Sequence, residues 1–286
     1  AALAEVAEPE ALLGAVAEHR VTRMFAAPVL INWFVQRLQA HPRDISSLKL
    51  MLYGASPIPP TVLRAAMDIM PNVGFQHLYG MTEAGGTVVQ MAPAEHDPAN
   101  PDRLKSCGQP GNGIELRIVD AAGNALPTGN VGEVLIKGPV LMSGYWQKPA
   151  ATAAVMQDDW YHSGDAGYLD DEGFLYIVDR VKDMIITGGE NVYPAEVENV
   201  LYEHDGVAMA AVIGLPDPDW GEAVTAVVQR KAEATITESD MRKFLRGRIA
   251  GYKVPKRIEF VEAMPLTPSN KIRKHILRER FATEVT

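Results

Sequence analysis

The chain has 286 residues, 47% of them hydrophobic and 22% charged, with a formal net charge of -9 and one cysteine, Cys107. That length supports two domains with a sizeable core, and the acidic balance argues against a general nucleic-acid binder. One cysteine excludes an internal disulfide, a CxxC redox pair and a cysteine metal cluster, which suits a reducing cytoplasm as the expected location. The longest apolar stretch, Met24 to Val35, contains Pro28 and Asn32 and is too short to span a bilayer. The N-terminus lacks the basic region of a signal peptide. No transmembrane segment is expected; peripheral membrane contact and the oligomeric state stay open. Of the 27 Lys and Arg, 14 lie between Arg230 and Arg280, so a local basic face is also open.

The sequence begins inside what reads as a helix-rich α/β unit, which fits a truncated or processed start. Residues 9 to 20 carry apolar side chains at helical spacing behind Pro9 and Glu10, and Val21 to Ala26 reads as a strand. Asn32 to Leu38 is a second helix, and Leu48 to Tyr53 a second strand halting at Gly54-Ala55-Ser56. Pro59-Pro60 and Thr61 open a helix through Met67. Asn72 to Leu78 is a third strand that ends at Tyr79-Gly80. Strands alternating with helices predict a parallel sheet with helices on its faces, where ligands bind beyond the carboxyl ends of the strands. Two such ends carry small residues, GAS and YGMTEAGG.

From Gly108 the texture changes to short strands with Gly/Asp turns: Gly113 to Asp120, Gly132 to Lys137 and a hairpin from Tyr168 to Val178. This pattern predicts a small antiparallel sheet or barrel. An acidic turn, Ser163-Gly164-Asp165, precedes the hairpin, and a charged connector, Asp179 to Asp183, follows it. Past Lys182 the pattern is α+β. Helices are predicted for Pro194 to Leu201, Ser239 to Ile249 and Ile272 to Phe281, and strands for Val207 to Ile213, Val224 to Gln229 and Ile258 to Val261. The expected class is therefore α/β. A partial large domain spans residues 1–180 (parallel α/β sheet 1–105, barrel-like 106–180), a hinge spans 181–183, and a small α+β domain spans 184–286.

Several stretches carry chemistry, and each also has a plain structural explanation. In Tyr79-Gly80-Met81-Thr82-Glu83 an aromatic can stack on a base and glycine lets the backbone approach a ligand. The Thr hydroxyl can bond a phosphate oxygen, and a carboxylate is a hard ligand for Mg²⁺. A β-turn with an incidental Thr-Glu cap explains the same residues equally well. Asp165 can accept two ribose hydroxyls or bond its own turn backbone. Arg180 and Lys182 suit a phosphate contact or plain solvation. Gly188-Gly189-Glu190-Asn191 before Pro194 reads as a glycine turn feeding a helix, either an anion site or a tight turn. Lys271 ends the rigid loop Pro265 to Lys271, where an ammonium can neutralise charge between a carboxylate and a phosphate or be solvated. None of the seven histidines falls in an HxxxH or HExxH pair, and no G-x-S-x-G occurs, which leaves a hydrolase without its nucleophile.

The order of these motifs is more specific than any one of them. YGMTE, then SGD, then DRVKDMIITGGENVYPAEVE, then PLTPSNK resembles the adenylate-forming superfamily. The chain is most similar to AMP-forming acyl-CoA synthetases of the fatty-acid and aryl-acid type, over essentially its whole length. The resemblance implies that Tyr79 stacks on adenine beside Gly80, with Gly54 and Ala55 bordering the adenine and acyl site. It implies a catalytic set of Thr82 on the α-phosphate, Glu83 on Mg²⁺ and Lys271 between substrate carboxylate and α-phosphate. Asp165 would hold the ribose with Arg180 beside it, Asp183 would be the hinge, and Gly189 would line the pantetheine tunnel. The implied ligands are ATP or AMP, Mg²⁺ and coenzyme A. The implied reaction joins a carboxylic acid, expected to be a fatty acid, to CoA through an acyl-adenylate.

Two departures stand out. Asn270 replaces the usual glycine of the lysine loop, and Asn tolerates left-handed backbone angles. The phosphate loop that the family carries well upstream is absent, so the chain resembles the second half of such an enzyme. Two other readings follow from the same residues: an adenylation domain that hands its product to a carrier protein, and a non-catalytic nucleotide-binding fragment.

Overall fold

The computed structural model describes residues 9–267 and 272–282. The chain divides into two compact units: Ala1–Ser163 with Gly167–Ile177, and Gly164–Ala166 with Val178–Thr286.

The first unit starts with α1 (Pro9–Glu18), β1 (Arg23–Ala26), α2 (Pro28–Ala40), β2 (Leu50–Gly54), α3 (Pro60–Ile69) and β3 (Gly74–Met81). Proline opens each of these helices, where its missing N–H costs nothing. In α2 the buried Ile31, Phe34, Val35 and Leu38 recur at helical spacing and form one apolar stripe. That stripe packs in a core with Met51, Tyr53, Leu63 and Phe75. β1, β2 and β3 are parallel neighbours, as their alternation with helices predicts. The sheet is not wholly parallel, however. A 3-10 turn at Thr82–Ala84 and left-handed Gly85 reverse the chain, and β4 (Gly86–Met91) returns antiparallel to β3. β5 (Gln109–Pro110) then pairs antiparallel with β4. The small residues after Glu83 that read as ligand space are also the turn of this hairpin, which is why alternation alone missed it.

A second sheet holds β6 (Glu115–Val119), β7 (Gly132–Lys137), β8 (Met156–Gln157), β9 (Trp160–Leu169) and β10 (Leu175–Arg180), with α4 (Pro149–Val155) before β8. Its order is β10-β9-β7-β6, with β8 on β9. Among the described residues no pairing joins β6 to β10, so the barrel-like part is an open sheet. The expected acidic turn at Ser163-Gly164-Asp165 lies inside β9. Gly164, at φ 69°, bends the strand there, and such a kink looks like a turn in sequence.

In the second unit β11 (Ile185–Thr187), β12 (Glu190–Val192), β13 (Val207–Asp217), β14 (Gly221–Arg230) and β15 (Arg257–Val261) form one sheet, accompanied by α5 (Pro194–Tyr202), α6 (Glu238–Leu245) and α7 (Lys274–Ala282). Alternation along β13 sends Ala210 and Val212 into a core with Val197, Leu201, Met241 and Leu245. Ala211, Ile213 and Leu215 enter a second core with Leu277 and Phe281. The period of two thus serves helices α5 and α6 on one face and α7 on the other. A capping box between Thr237 and Asp240 starts α6, satisfying helix N–H groups that lack intrahelical partners.

Candidate functional site

The carboxyl ends of β2 and β3 lie side by side, with Gly54 opposite Leu78 in parallel register. A Cβ on Gly54 would sit 2.2 Å from the Leu78 carbonyl oxygen, so only glycine allows this approach. Exposed Ala55 follows with φ 68°, a left-handed backbone that costs a non-glycine residue about 1 kcal/mol or more. Across the β3–β4 hairpin Gly80 faces Thr87, and a Cβ on Gly80 would lie 1.6 Å from the Gly86 carbonyl oxygen. Tyr79, Gly80, Thr82 and Glu83 are therefore held on a reversal that glycine makes possible, next to Gly54 and Ala55.

Glu83 is half-buried and bound at both ends. Its carbonyl oxygen accepts from the Met142 N–H at 2.7 Å, and its Oε1 accepts from the Tyr145 hydroxyl at 2.8 Å. The Tyr145 N–H donates to Thr152 Oγ1 at 2.9 Å, whose hydroxyl donates to the Lys148 carbonyl at 3.1 Å. Donation to Glu83, and secondarily burial, raise the Tyr145 phenol above its ordinary range. Among the described residues Glu83 forms no ion pair with Lys, Arg or His, and no cluster of three or more His, Cys, Asp or Glu could hold a metal. One anionic oxygen donor set without a cationic neighbour fits Mg²⁺, which takes one or two carboxylates and completes its shell with phosphates and water.

Behind these strand ends is a buried polar cluster that the sequence did not announce. The Tyr53 ring stacks on His77 with centroids 4.6 Å apart. His77 Nδ1 donates to the Ser106 carbonyl at 3.0 Å, and His96 Nδ1 donates to the Ala92 carbonyl at 2.9 Å. A carbonyl can only accept, so in the neutral imidazole His96 Nε2 is the acceptor and the Tyr53 hydroxyl, 2.9 Å away, donates to it. Burial pushes His77 down to about 4. It also lowers His96 and raises Tyr53.

The remaining candidates lie in the second unit. Asp165 is 5% exposed, and its Oδ1 is 2.8 Å from Arg180 Nε. Lys182 is exposed on the 3-10 turn Val181–Asp183. Asp183 accepts from Arg278 of α7 at 2.8 Å. Gly188 and Gly189, at φ 60° and 82°, form the two-residue loop between β11 and β12, where positive φ matches the strand twist. They do not open the following helix as expected, because β12 intervenes. α5 begins at Pro194, and its Ala195 N–H already donates to Asp179 Oδ2 at 2.7 Å. The anion place at that helix start is thus filled by a carboxylate of the chain itself. Lys271 lies outside the described residues.

The arrangement gathers Gly54, Ala55, Tyr79, Gly80, Thr82 and Glu83 at one edge, pairs Asp165 with Arg180, and sets Gly189 on a separate hairpin. Tyr145 and Thr152 were not legible beforehand, since no local spacing relates residue 145 to residue 83.

Two family models match the chain: AMP-binding enzyme over residues 2–146 and AMP-binding enzyme C-terminal domain over residues 196–271. A feruloyl-CoA synthase from Amycolatopsis sp is 43% identical over 278 residues, covering 96% of this chain and 55% of that protein. Among solved structures, the amide bond synthetase McbA from Marinactinospora thermotolerans superposes with a TM-score of 0.88 at 38% identity, covering 98% of this chain and 56% of the other. The o-succinylbenzoate CoA synthetase MenE from Bacillus subtilis, in complex with ATP and magnesium ion, superposes with a TM-score of 0.83 at 31% identity, covering 96% and 54%. The chain spans about half the length of the curated relatives it matches. Matched by these two models along most of its length, and carrying their motifs on an adenylate-forming fold, the chain belongs to the AMP-binding enzyme family.

Proposed function

We propose that the chain supplies the nucleotide and thioester side of an ATP-dependent acyl-CoA ligase acting on a hydrophobic carboxylic acid. The observation that carries this reading is Glu83, a half-buried carboxylate that accepts from the Tyr145 hydroxyl and forms no ion pair among the described residues; it sits on the reversal beside Gly54, Ala55, Tyr79 and Gly80, at the end of a parallel strand where α/β folds bind ligands. In the first half-reaction an acid carboxylate oxygen attacks the α-phosphorus of ATP, the bond to the bridging oxygen breaks, and pyrophosphate leaves. In the second the CoA thiolate attacks the acyl carbon and AMP leaves with the bonding pair. Tyr79 stacks on the adenine, the Thr82 hydroxyl donates to an α-phosphate oxygen, and Asp165 accepts from the ribose hydroxyls with Arg180 holding its carboxylate. Lys271 neutralises charge between the acid and the α-phosphate. Glu83 would hold Mg²⁺, which when bound stabilises the negative charge that develops on the phosphate oxygens. Asp183 lies in the connector expected to act as the hinge, and Gly189 lines the path of the thiol.

Gly86 leaves room for an acid's apolar body, while Ala84 is buried in the core beneath it. A Cβ on Gly86 would meet nothing within 4 Å. A feruloyl-CoA synthase among the relatives supports a bulky aromatic acid as readily as an alkyl one. No helix among the described residues is long and apolar enough to cross a membrane, and we place the reaction in the cytoplasm, where ATP and CoA meet. The test is pyrophosphate release and thioester formation by a protein carrying this chain, with a panel of aryl and alkyl acids. Acid-dependent release with free CoA as acceptor supports the reading. Release that transfers only to a carrier protein changes the acceptor, and no release with any acid rejects it.

A further inference from the structure

We propose that Tyr145 is a positioning residue for Glu83: its hydroxyl fixes one carboxylate oxygen so that the other is presented to a divalent cation. The inference rests on the reading of Glu83 as the metal-holding carboxylate, and it concerns how this chain prepares that group.

The contact is one O–H···O bond of 2.8 Å from Tyr145 to Glu83 Oε1. An ionised carboxylate offers two oxygens and about four acceptor directions, so engaging Oε1 leaves Oε2 for a metal. The choice of donor matters. A lysine or arginine at this place would neutralise the carboxylate and compete with the cation, whereas a phenol orients it and leaves its charge whole. Charge-preserving donors of this kind tune metal ligands from behind.

Both ends of the bond are anchored within the first unit. The Glu83 main chain is tied to the Tyr145 segment by the Met142 N–H at 2.7 Å. Tyr145 is tied in turn through its N–H to Thr152 Oγ1, and Thr152 to the Lys148 carbonyl ahead of α4. A Cβ on Gly144 would lie 3.0 Å from Thr152 Cγ2, so this backing tolerates little beyond glycine there. A glutamate on a solvent-facing turn otherwise samples many rotamers. This one has a donor on its carboxylate and a main-chain tie at its base.

The experiment is Mn²⁺ binding in the presence of ATP, followed by electron paramagnetic resonance on the 286-residue chain, for wild type, Tyr145→Phe, Glu83→Gln and the double variant. Tyr145→Phe is expected to weaken Mn²⁺ binding roughly 10-fold, with ATP affinity in EDTA and the thermal midpoint unchanged. In the Glu83→Gln background the same substitution is expected to add almost nothing, because the effect passes through that carboxylate. Mn²⁺ affinity within two-fold of wild type, or an equal loss in both backgrounds, overturns the proposal and makes Tyr145 structural. If wild type shows no ATP-dependent Mn²⁺ binding, the metal reading of Glu83 fails first. Should Tyr145→Phe not fold, Thr152→Val, which removes the acceptor of the Tyr145 N–H, is read against the same criteria.

Discussion

Asp165 and Arg180 meet with Nε 2.8 Å from Oδ1, a nearly buried carboxylate against a guanidinium whose side chain is 53% exposed. The bond orients the aspartate in a strand that Gly164 has bent. If Asp165 accepts ribose hydroxyls, Asp165→Asn keeps the shape and loses the charge. Bonds to charged groups contribute about 1.5–3 kcal/mol each, so the ATP dissociation constant should rise by roughly one to two orders of magnitude. Isothermal titration of ATP into both proteins measures this, and an unchanged constant removes Asp165 from the nucleotide site.

Gly80 makes a sharper structural prediction. Because its Cβ would fall 1.6 Å from a backbone oxygen, Gly80→Ala has to open the β3–β4 hairpin. Overpacking of this sort costs about 1–3 kcal/mol or more, a fall in thermal midpoint of roughly 3–10 °C. Gly251→Ala is the control, since a Cβ there meets nothing within 4 Å. Equal midpoints for the two variants would contradict the geometry.

Legibility followed the range of the forces. Helices α2, α3 and α5 and strands β1, β2 and β3 were written in local period and in Pro at helix starts, whereas α6 ends at Leu245, short of the Ile249 that its period suggested. The order of the YGMTE, SGD and glycine-turn motifs carried the family. What stayed hidden is non-local. β4 is an ordinary run whose antiparallel return depends on positive φ at Gly85 and Gly86. Asp165 read as a turn because a bent strand has a turn's composition. The bonds from Tyr145 to Glu83 and from Tyr53 to His96 join residues 62 and 43 positions apart, beyond any local spacing rule.

The histidine cluster sets an acid limit on stability. Burial lowers His77 from 6.5 to about 4, so between those values the unfolded chain binds a proton that the folded chain refuses. For a lowered value the stabilising contribution is whole above the unfolded pKa and is lost as pH falls through the window. At about 1.4 kcal/mol per unit the loss is on the order of 3 kcal/mol, and His96 shifts in the same direction. Urea unfolding should show the midpoint falling between pH 6.5 and about 4, with a shallower fall in His77→Gln. A profile that His77→Gln leaves unchanged would place the acid sensitivity elsewhere.

In the second unit Lys274 of α7 and Glu198 of α5 form a pair with only 18% and 16% of their side chains exposed, Nζ to Oε1 at 2.8 Å, and Glu198 also accepts from the Val212 N–H at 2.7 Å. Burial is the largest influence on Glu198 and raises it, while Lys274 and Val212 pull it down. Lys274→Met removes the main counterweight and strands a buried carboxylate, which costs about 3 kcal/mol near neutral pH. The sign with pH is the reverse of the histidine case. A raised carboxylate favours the folded state as it takes up its proton, so the loss should be smaller near pH 5 than near pH 8, each within about one unit. Glu198→Gln together with Lys274→Met leaves no buried charge and should recover part of the stability at the higher pH. Urea titrations of the three variants at both pH values decide it: a loss for Lys274→Met that is independent of pH, and not relieved by Glu198→Gln, would mean that the lysine matters for packing of its stem and not for the charge of its partner.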